Sequence, residues 1–382
     1  MSTRPQFTAR VARADDPSLN WGAEPELGRY AAALAGLPER GRLANAAFAL
    51  HALQLPGRAF VVAEPDPAAS QAWLLSLRAA YGRVAREEAE AETEGVQGLA
   101  YGWAAHIAEA WLDATAADRI VFVNHPLLST SLWGGWEGEG LRDALAVLAV
   151  RFPDRAFAFR SLNDWSDATL LDRLRGAGGR LLPSRVIWTV DDVADEWLKK
   201  RDARRDHRLI DAGGYRIDHA ERLSDPDWTR VRDLYRGLYL ERHSRHNPDY
   251  TEALLRAGMD SGFLRFQLLR QGSGRIMAFV ACARVGGILT SPLLGYDLAR
   301  PQDEGLYRMA MLLPGLEAAK HGLRVNHSAG AGAFKRVRGA KPWLEYTAIF
   351  DAHLPAWRRL GYAGLQRAAN ALTPALMRIA TA

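Results

Sequence analysis

Cysteine is almost absent from this 382-residue chain: Cys282 stands alone, so no internal disulfide can form. Its apolar setting, MAFVACARV, reads as core packing rather than the polar, partly exposed site of a reactive thiol. Long apolar runs are lacking too. None approaches the roughly 20 residues a membrane span needs, and the opening MSTRPQFTARVARADD has no apolar stretch of the signal-peptide kind. No membrane span is therefore expected, and the cytoplasm is the expected compartment. No repeat of roughly 20–50 residues is visible, which sets aside solenoids and propellers. Glu241, His243 and His246 lie close in sequence but lack a further strong ligand at regular spacing, so no metal is expected there.

What remains is ordinary soluble composition, 48% hydrophobic and 24% charged, at a length that suits about two domains. The net charge of +5 is unevenly placed. Residues 199–208, KKRDARRDHR, hold six Lys and Arg against two Asp, and Lys335, Arg336, Arg338 and Lys341 add four cations within seven residues. The rest of the chain is slightly acidic. Two local clusters on such a body point to a site for an acidic ligand more than to general nucleic-acid binding, although 199–208 also reads as a solvated helix face.

The second cluster lies in residues 323–350, LRVNHSAGAGAFKRVRGAKPWLEYTAIF. Two β-type runs flank a loop in which Gly330 and Gly332 permit close backbone approach or positive φ. A glycine-rich loop with four cations suits a phosphorylated ligand. His327 and Ser328 end the first run, at the edge of the loop.

Along the chain, residues 1–40 read as a loose entry segment. A strand at 58–63 is followed by a helical stretch over 68–92, a helix at 101–115, a strand at 120–124, a Gly/Trp loop, a helix at 141–150, and strands at 156–160 and 180–190. The pattern then restarts. A strand at 215–220 precedes a helix over 226–243 capped by Ser224 or Asp225, and strands at 263–269, 275–285 and 288–294 are joined by the turns QGSG and GG. A helix over 305–320, a strand at 323, the basic loop, a strand at 344–350 and a closing helix from Leu354 complete it. The mixture is α/β in class.

This second-half order resembles the GNAT acyltransferase fold. Phe334, Lys335, Arg336, Val337, Arg338 and Gly339, with Glu345, Tyr346 and a strand ending in Phe350 and Asp351, are similar to the FK-x-x-x-G segment and following strand of the Fem peptidyltransferases. Those are tandem-GNAT proteins; the cellulose-biosynthesis-type acetyltransferases of bacteria share their plan. WTVDDVADEWLKKRDARRDHRLIDAGGYRID resembles that family's passage from first domain to second. The resemblance implies an α/β (α+β) chain of two GNAT-like domains, residues 1–212 and 213–382, each a mixed, mostly antiparallel sheet flanked by helices. One motif departs from the pattern. The GNAT pyrophosphate loop, R/Q-x-x-G-x-G/A at a helix start, is represented by Gln302-Asp-Glu-Gly305-Leu-Tyr307, with tyrosine in place of the second glycine. Tyr307 and Arg308 point to a donor that stacks or pairs differently from coenzyme A in its usual pose.

Acyl transfer to an amine needs a held carbonyl, a deprotonated amine and a stabilised oxyanion. The resemblance makes Lys335 the first candidate for oxyanion or phosphate stabilisation; it also reads as a surface lysine. His327 is a candidate base or a structural histidine, and Asp297 either orients the amine or starts the turn before Pro301. Gly305, Tyr307, Arg308, Ser328, Arg336 and Arg338 are candidates for the donor side. Trp133, Trp136, His243, His246 and Tyr296 are candidates for the acceptor side; the two tryptophans either form a mobile lid or pack between domains. Arg160, ending a strand, is a weaker anion-binding candidate. The closing helix either touches a membrane surface or packs on the core. No tightly bound cofactor is expected. The donor would be acyl-CoA or an acyl carrier protein and the acceptor a small amine; the alternatives are a Fem-type transferase drawing on aminoacyl-tRNA and a degenerate GNAT-like protein that only binds ligand.

Overall fold

A computed structural model describes residues 9–84, 86–87 and 96–381. The amino-terminal half supplies β1 (Arg10–Arg13), β2 (Phe48–Leu55), β3 (Arg58–Pro65), β4 (Ile120–Val123), β5 (Ala156–Asn163) and β6 (Arg180–Val190). The carboxyl-terminal half supplies β7 (Arg216–Ala220), β8 (Arg265–Arg270), β9 (Ile276–Val285), β10 (Ile288–Tyr296), β11 (Arg324–Asn326) and β12 (Lys341–Phe350). All lie in one sheet, in the order β1-β2-β3-β4-β5-β12-β6-β11-β10-β9-β8-β7. Pairing is antiparallel except for β4 with β5 and β10 with β11. Gly286 and Gly287, both at positive φ, form the tight turn that sets the β9–β10 register at Val285↔Ile288.

The two halves repeat one plan and exchange a strand. Each runs four antiparallel strands, then a fifth parallel to the fourth. Each half's sixth strand then crosses to the other: β12 lies beside β5, β6 lies beside β11, and the two pair from Lys341↔Thr189 to Ile349↔Arg180. A cut between residues 212 and 213 therefore divides the chain in sequence but runs through a shared sheet in space.

The parallel pairs are bridged by α3 (Leu141–Arg151) and α8 (Leu306–His321). The other helices are α1 (Pro25–Gly36), α2 (Val96–Ala114), α4 (Ala168–Gly176), α5 (Arg201–Ala212), α6 (Asp225–Arg236), α7 (Glu252–Asp260), the short α9 (Gly332–Arg336) and α10 (Ala356–Thr381). On one sheet face a continuous core joins Leu27, Phe48 and Phe122 of the first half to Trp228, Phe266 and Phe279 of the second. The other face splits into two cores, one under α3 and α4 with Trp133, Trp136 and Phe159, the other under α5 and α8 with Trp188, Trp197 and Met309. α10 packs on β6 through buried Tyr362 and Leu365. No helix among the described residues is long and apolar enough to cross a membrane.

Several expectations are corrected. The reading of 1–40 as loose misses β1 and α1, whose Leu27, Tyr30, Ala31 and Leu34 are buried at the i, i+3, i+4, i+7 spacing of one helix face. The sequence pattern also misses β2 and α4. Within 68–92 regular helix does not start at 68: a π-helical turn covers Ala79–Val84, and residues 85 and 88–92 lie outside the described residues. The basic loop is not irregular throughout, since α9 occupies Gly332–Arg336.

Candidate functional site

β10 and β11 pair only as far as Thr290↔Asn326. Past that point the register of β10 on β9 shifts between Thr290 and Leu293, Pro292 has no N–H to offer, and the strands part. Open α/β sheets hold ligands at the carboxyl ends of such strands. Four part-buried aromatic side chains from four elements meet at this wedge: Tyr296 ending β10, Tyr307 in the first turn of α8, Phe334 on α9, and Tyr239 in a π-helical turn at Gly237–Glu241. Ring centroids lie 5.9 Å apart for Tyr296 and Tyr307 and 5.1 Å apart for Tyr307 and Phe334. Burial pushes the Tyr239 phenol up to about 12, with Tyr296 adding to the effect. Burial also raises Tyr307, with Tyr239 and Tyr296 contributing. Both phenols thus remain O–H donors at neutral pH.

α8 begins at Gly305, which caps it at φ +78; a side chain there would be strained and would meet Leu209 of α5 at 2.9 Å. The matching helix of the first half, α3, is capped by Gly140 at φ +74. Both glycines sit in the tripeptide Glu-Gly-Leu, at 139–141 and 304–306. That short identity is a sequence signal of the repeated plan.

The cations expected to hold phosphate are occupied within the protein. Lys335 is buried, and its Nζ donates to the carbonyl oxygens of His327, Ser328 and Ala329 at 2.8, 3.2 and 2.8 Å, fastening the loop after β11. Burial and then Arg185 lower its pKa to about 7, while the three carbonyl oxygens favour the charged form. Asp206 of α5, itself buried, receives Arg308 at 2.6 Å and Arg338 at 2.6 Å. Arg338 also lies over the Phe334 ring at 3.6 Å, and Arg336 is exposed.

His327 stacks on Trp197 at 4.2 Å, and both of its ring nitrogens are buried without a hydrogen-bond partner. Burial, then Lys335, lowers its pKa to about 3, so at neutral pH it is a weakly basic imidazole. Asp297 pairs with Arg230 at 2.6 Å and Arg275 at 3.3 Å; burial opposes ionisation, but these contacts hold the carboxyl below its ordinary range. Ser328, at φ +59, lies just past β11 at the lip of the wedge. His243 is exposed, whereas His246 is buried against Gln71 O at 3.2 Å. Trp133 and Trp136 are core residues rather than a lid: they stack at 5.6 Å, pack on Phe60 and Phe159, and satisfy their indole N–H groups on Arg160 O and Glu139 O. A surface cavity of about 330 Å³ between Glu24, Arg265, Arg284 and Gly286 lies near the β9–β10 turn, at the opposite end of β10 from the wedge.

A second polar cluster lies where the halves interlock. Arg185 of β6 donates to both Glu345 oxygens, at 2.8 and 3.1 Å, and to Ser129 O at 2.6 Å. Arg160 of β5 donates to Leu74 O at 2.8 Å. Both guanidiniums face the Trp73 ring, at 5.0 Å for Arg160 and 5.7 Å for Arg185. Arg160 carries only a weak local sequence signal and Arg185 and Trp73 carry none, because strand exchange alone brings β5, β6 and β12 together.

No family model and no curated protein matches the chain. Among solved structures it is similar to the C-terminal domain of a putative lysylphosphatidylglycerol synthetase from Agrobacterium fabrum, with 17% identity over 59% of this chain and 77% of that one and a TM-score of 0.44. It is similar to FemX at 10% identity, 57% and 78% coverage and a TM-score of 0.43. It is also similar to a tandem GNAT protein from the clavulanic acid biosynthesis pathway, at 12% identity, 92% and 100% coverage and a TM-score of 0.39.

Proposed function

We propose that the protein is an N-acyltransferase that moves an acyl group from a thioester, acyl-CoA or an acyl carrier protein, to an amine by direct attack. The observation that carries this reading is the parting of β10 and β11 beneath Tyr239, Tyr296, Tyr307 and Phe334. A thioester laid in the wedge would have its carbonyl beside phenolic O–H donors. Attack by the neutral amine forms the C–N bond and a tetrahedral oxyanion; collapse breaks the C–S bond and expels the thiolate, which takes a proton from a phenol as the amine's own proton passes by way of water to that phenol's oxygen, leaving amide, thiol and neutral phenol. Catalysis would then rest on position and on O–H donors rather than on a buried base. Lys335 and His327 would support the site by shaping the loop after β11.

The aminoacyl-tRNA reading has its own support, since α5 turns Arg201, Arg204, Arg205 and Arg208 outward. Binding through several phosphates would weaken steeply with salt, whereas a thioester in a wedge would respond mildly. The deciding experiment follows thiol release from acetyl-CoA and from an acylated carrier protein over a panel of amines, for the wild type and Tyr307→Phe. Amine-dependent release that falls in the variant supports the proposal. No release from either thioester with any amine would sink it, and bound thioester without turnover would favour a ligand-binding protein.

A further inference from the structure

We propose that the seam between the halves holds a carboxylate-binding site built around Arg160, and that the acceptor is an amine that also carries a carboxylate. The word acceptor rests on the acyl-transfer reading; the site itself does not. Ala156 and Ala158 belong to the core shared by both halves, so alternation along β5 turns Arg160 to the same face. Its guanidinium lies over Trp73 at 5.0 Å and Phe122 at 5.8 Å, and its one hydrogen bond among the described residues goes to Leu74 O. No carboxylate among the described residues pairs with it. Its neighbour Arg185 is already matched by Glu345.

Among the described residues, two part-buried guanidiniums therefore share one carboxylate. Burial, then Arg185, lowers the Arg160 pKa to about 10, which leaves it charged at neutral pH. An unmatched buried charge is costly until a partner arrives. Arg160 itself brings one positive charge with no carboxylate partner among the described residues, which a carboxylate matches, and its planar guanidinium fork fits the two carboxylate oxygens. Trp73 supplies an apolar wall. The Tyr81 phenol, pushed up to about 12 mainly by burial, remains an O–H donor beside Arg160 and Glu345. The site also reaches the wedge: Arg185 Nη2 contacts Thr130 Oγ1 at 3.3 Å, and Thr130 donates to Ser328 Oγ at 3.2 Å, at the lip beyond β11. An acceptor anchored by its carboxylate at Arg160 would point its amine along this line.

The test titrates the full chain by calorimetry with acetate, L-alanine, L-alaninamide and inorganic phosphate, and measures the thermal midpoint with each. Acetate and L-alanine are expected to bind and raise the midpoint, with L-alaninamide inert and phosphate weaker. In Arg160→Gln, carboxylate affinity is expected to fall at least 10-fold while the ligand-free midpoint holds or rises, since a charge without a partner has been removed. A purely structural arginine would instead lower that midpoint. Arg160→Lys, which keeps the charge and loses the fork, is expected to bind more weakly than wild type. Equal binding of L-alanine and L-alaninamide, tighter binding of phosphate, or unchanged carboxylate affinity in both variants would overturn the site. In the thiol-release assay, Arg160→Gln is expected to raise KM for carboxylated amines with kcat little changed. Thiol release that ignores Arg160→Gln would overturn the inference and leave acyl transfer standing; carboxylate binding without any thiol release would do the reverse.

Discussion

The two halves share a plan, yet the carboxyl ends of their parallel strand pairs differ. In the first half, Trp133 and Trp136 fill the space after β4 and pack on Phe60 and Phe159, sealed to about 2% exposure. In the second, the equivalent place after β10 is lined by Tyr239, Tyr296, Tyr307 and Phe334, all part-exposed. Both following helices start at a left-handed glycine in Glu-Gly-Leu, so the difference lies in what covers the helix start. Aromatic packing closes one end, and the phenols at the other leave the wedge partly open, where acyl transfer is proposed. The closed half would still contribute to the proposed carboxylate site, because strand exchange sets Arg160 of β5 next to Arg185 of β6.

The harshest way to break this comparison is to separate the halves. Residues 1–212 alone lack β12, which lies between β5 and β6, so they are expected to show no cooperative thermal transition, and mixing them with residues 213–382 is expected to restore one. A cooperative melt from either half alone would mean that strand exchange is dispensable. Next in size, Trp136→Ala in the closed half is expected to cost about 3–5 kcal/mol in urea denaturation through loss of a buried indole. A cost below about 1 kcal/mol would mean that the first half is as loosely filled as the second.

How much of this was legible in the sequence depends on range. The Gly286–Gly287 hairpin, the helix of α8 and the strand character of β12 follow from local pattern and turn chemistry. That β12 lies in the first half's sheet does not, since nothing local in KPWLEYTAIF names its neighbours, and the Arg160–Arg185–Glu345 cluster depends on that placement. Lys335 shows a different limit. The sequence displays the cation, but the three carbonyl oxygens it binds are set by the backbone path after β11. Likewise the charge of 199–208 is visible, whereas the inward turn of Asp206 onto Arg308 and Arg338 is a matter of helix face.

Acid sharpens the comparison at an intermediate scale. The folded pKa of His327, about 3, lies below its ordinary 6.5, so the unfolded chain takes up the proton first. The stability that depends on neutral His327 is intact above pH 6.5 and is lost as pH falls from 6.5 towards 3, by roughly 2–3 kcal/mol between pH 6.5 and 4.5. His125 in the first half, also buried and lowered well below its ordinary value by burial and then Arg160, acts in the same direction. His327→Phe, which keeps a ring against Trp197, is expected to remove only the second half's share when urea midpoints at pH 7 and pH 4.5 are compared. An unchanged pH dependence would mean that His327 gains a proton partner in solution.

The smallest effect on stability falls where the effect on function should be largest. Tyr307 and Arg142 follow leucine in the two Glu-Gly-Leu segments, one at the open end and one on an exposed helix surface of the closed half. Tyr307→Phe keeps the ring on Phe334 and removes only the O–H, so its stability cost should stay under about 1 kcal/mol, while thiol release falls on the order of 10²-fold if the phenol donates to the leaving group. Arg142→Gln should change neither. Equal rates for the two variants would place the chemistry outside the wedge, because the only atom that distinguishes Tyr307→Phe from the wild type is the donor assigned to the reaction.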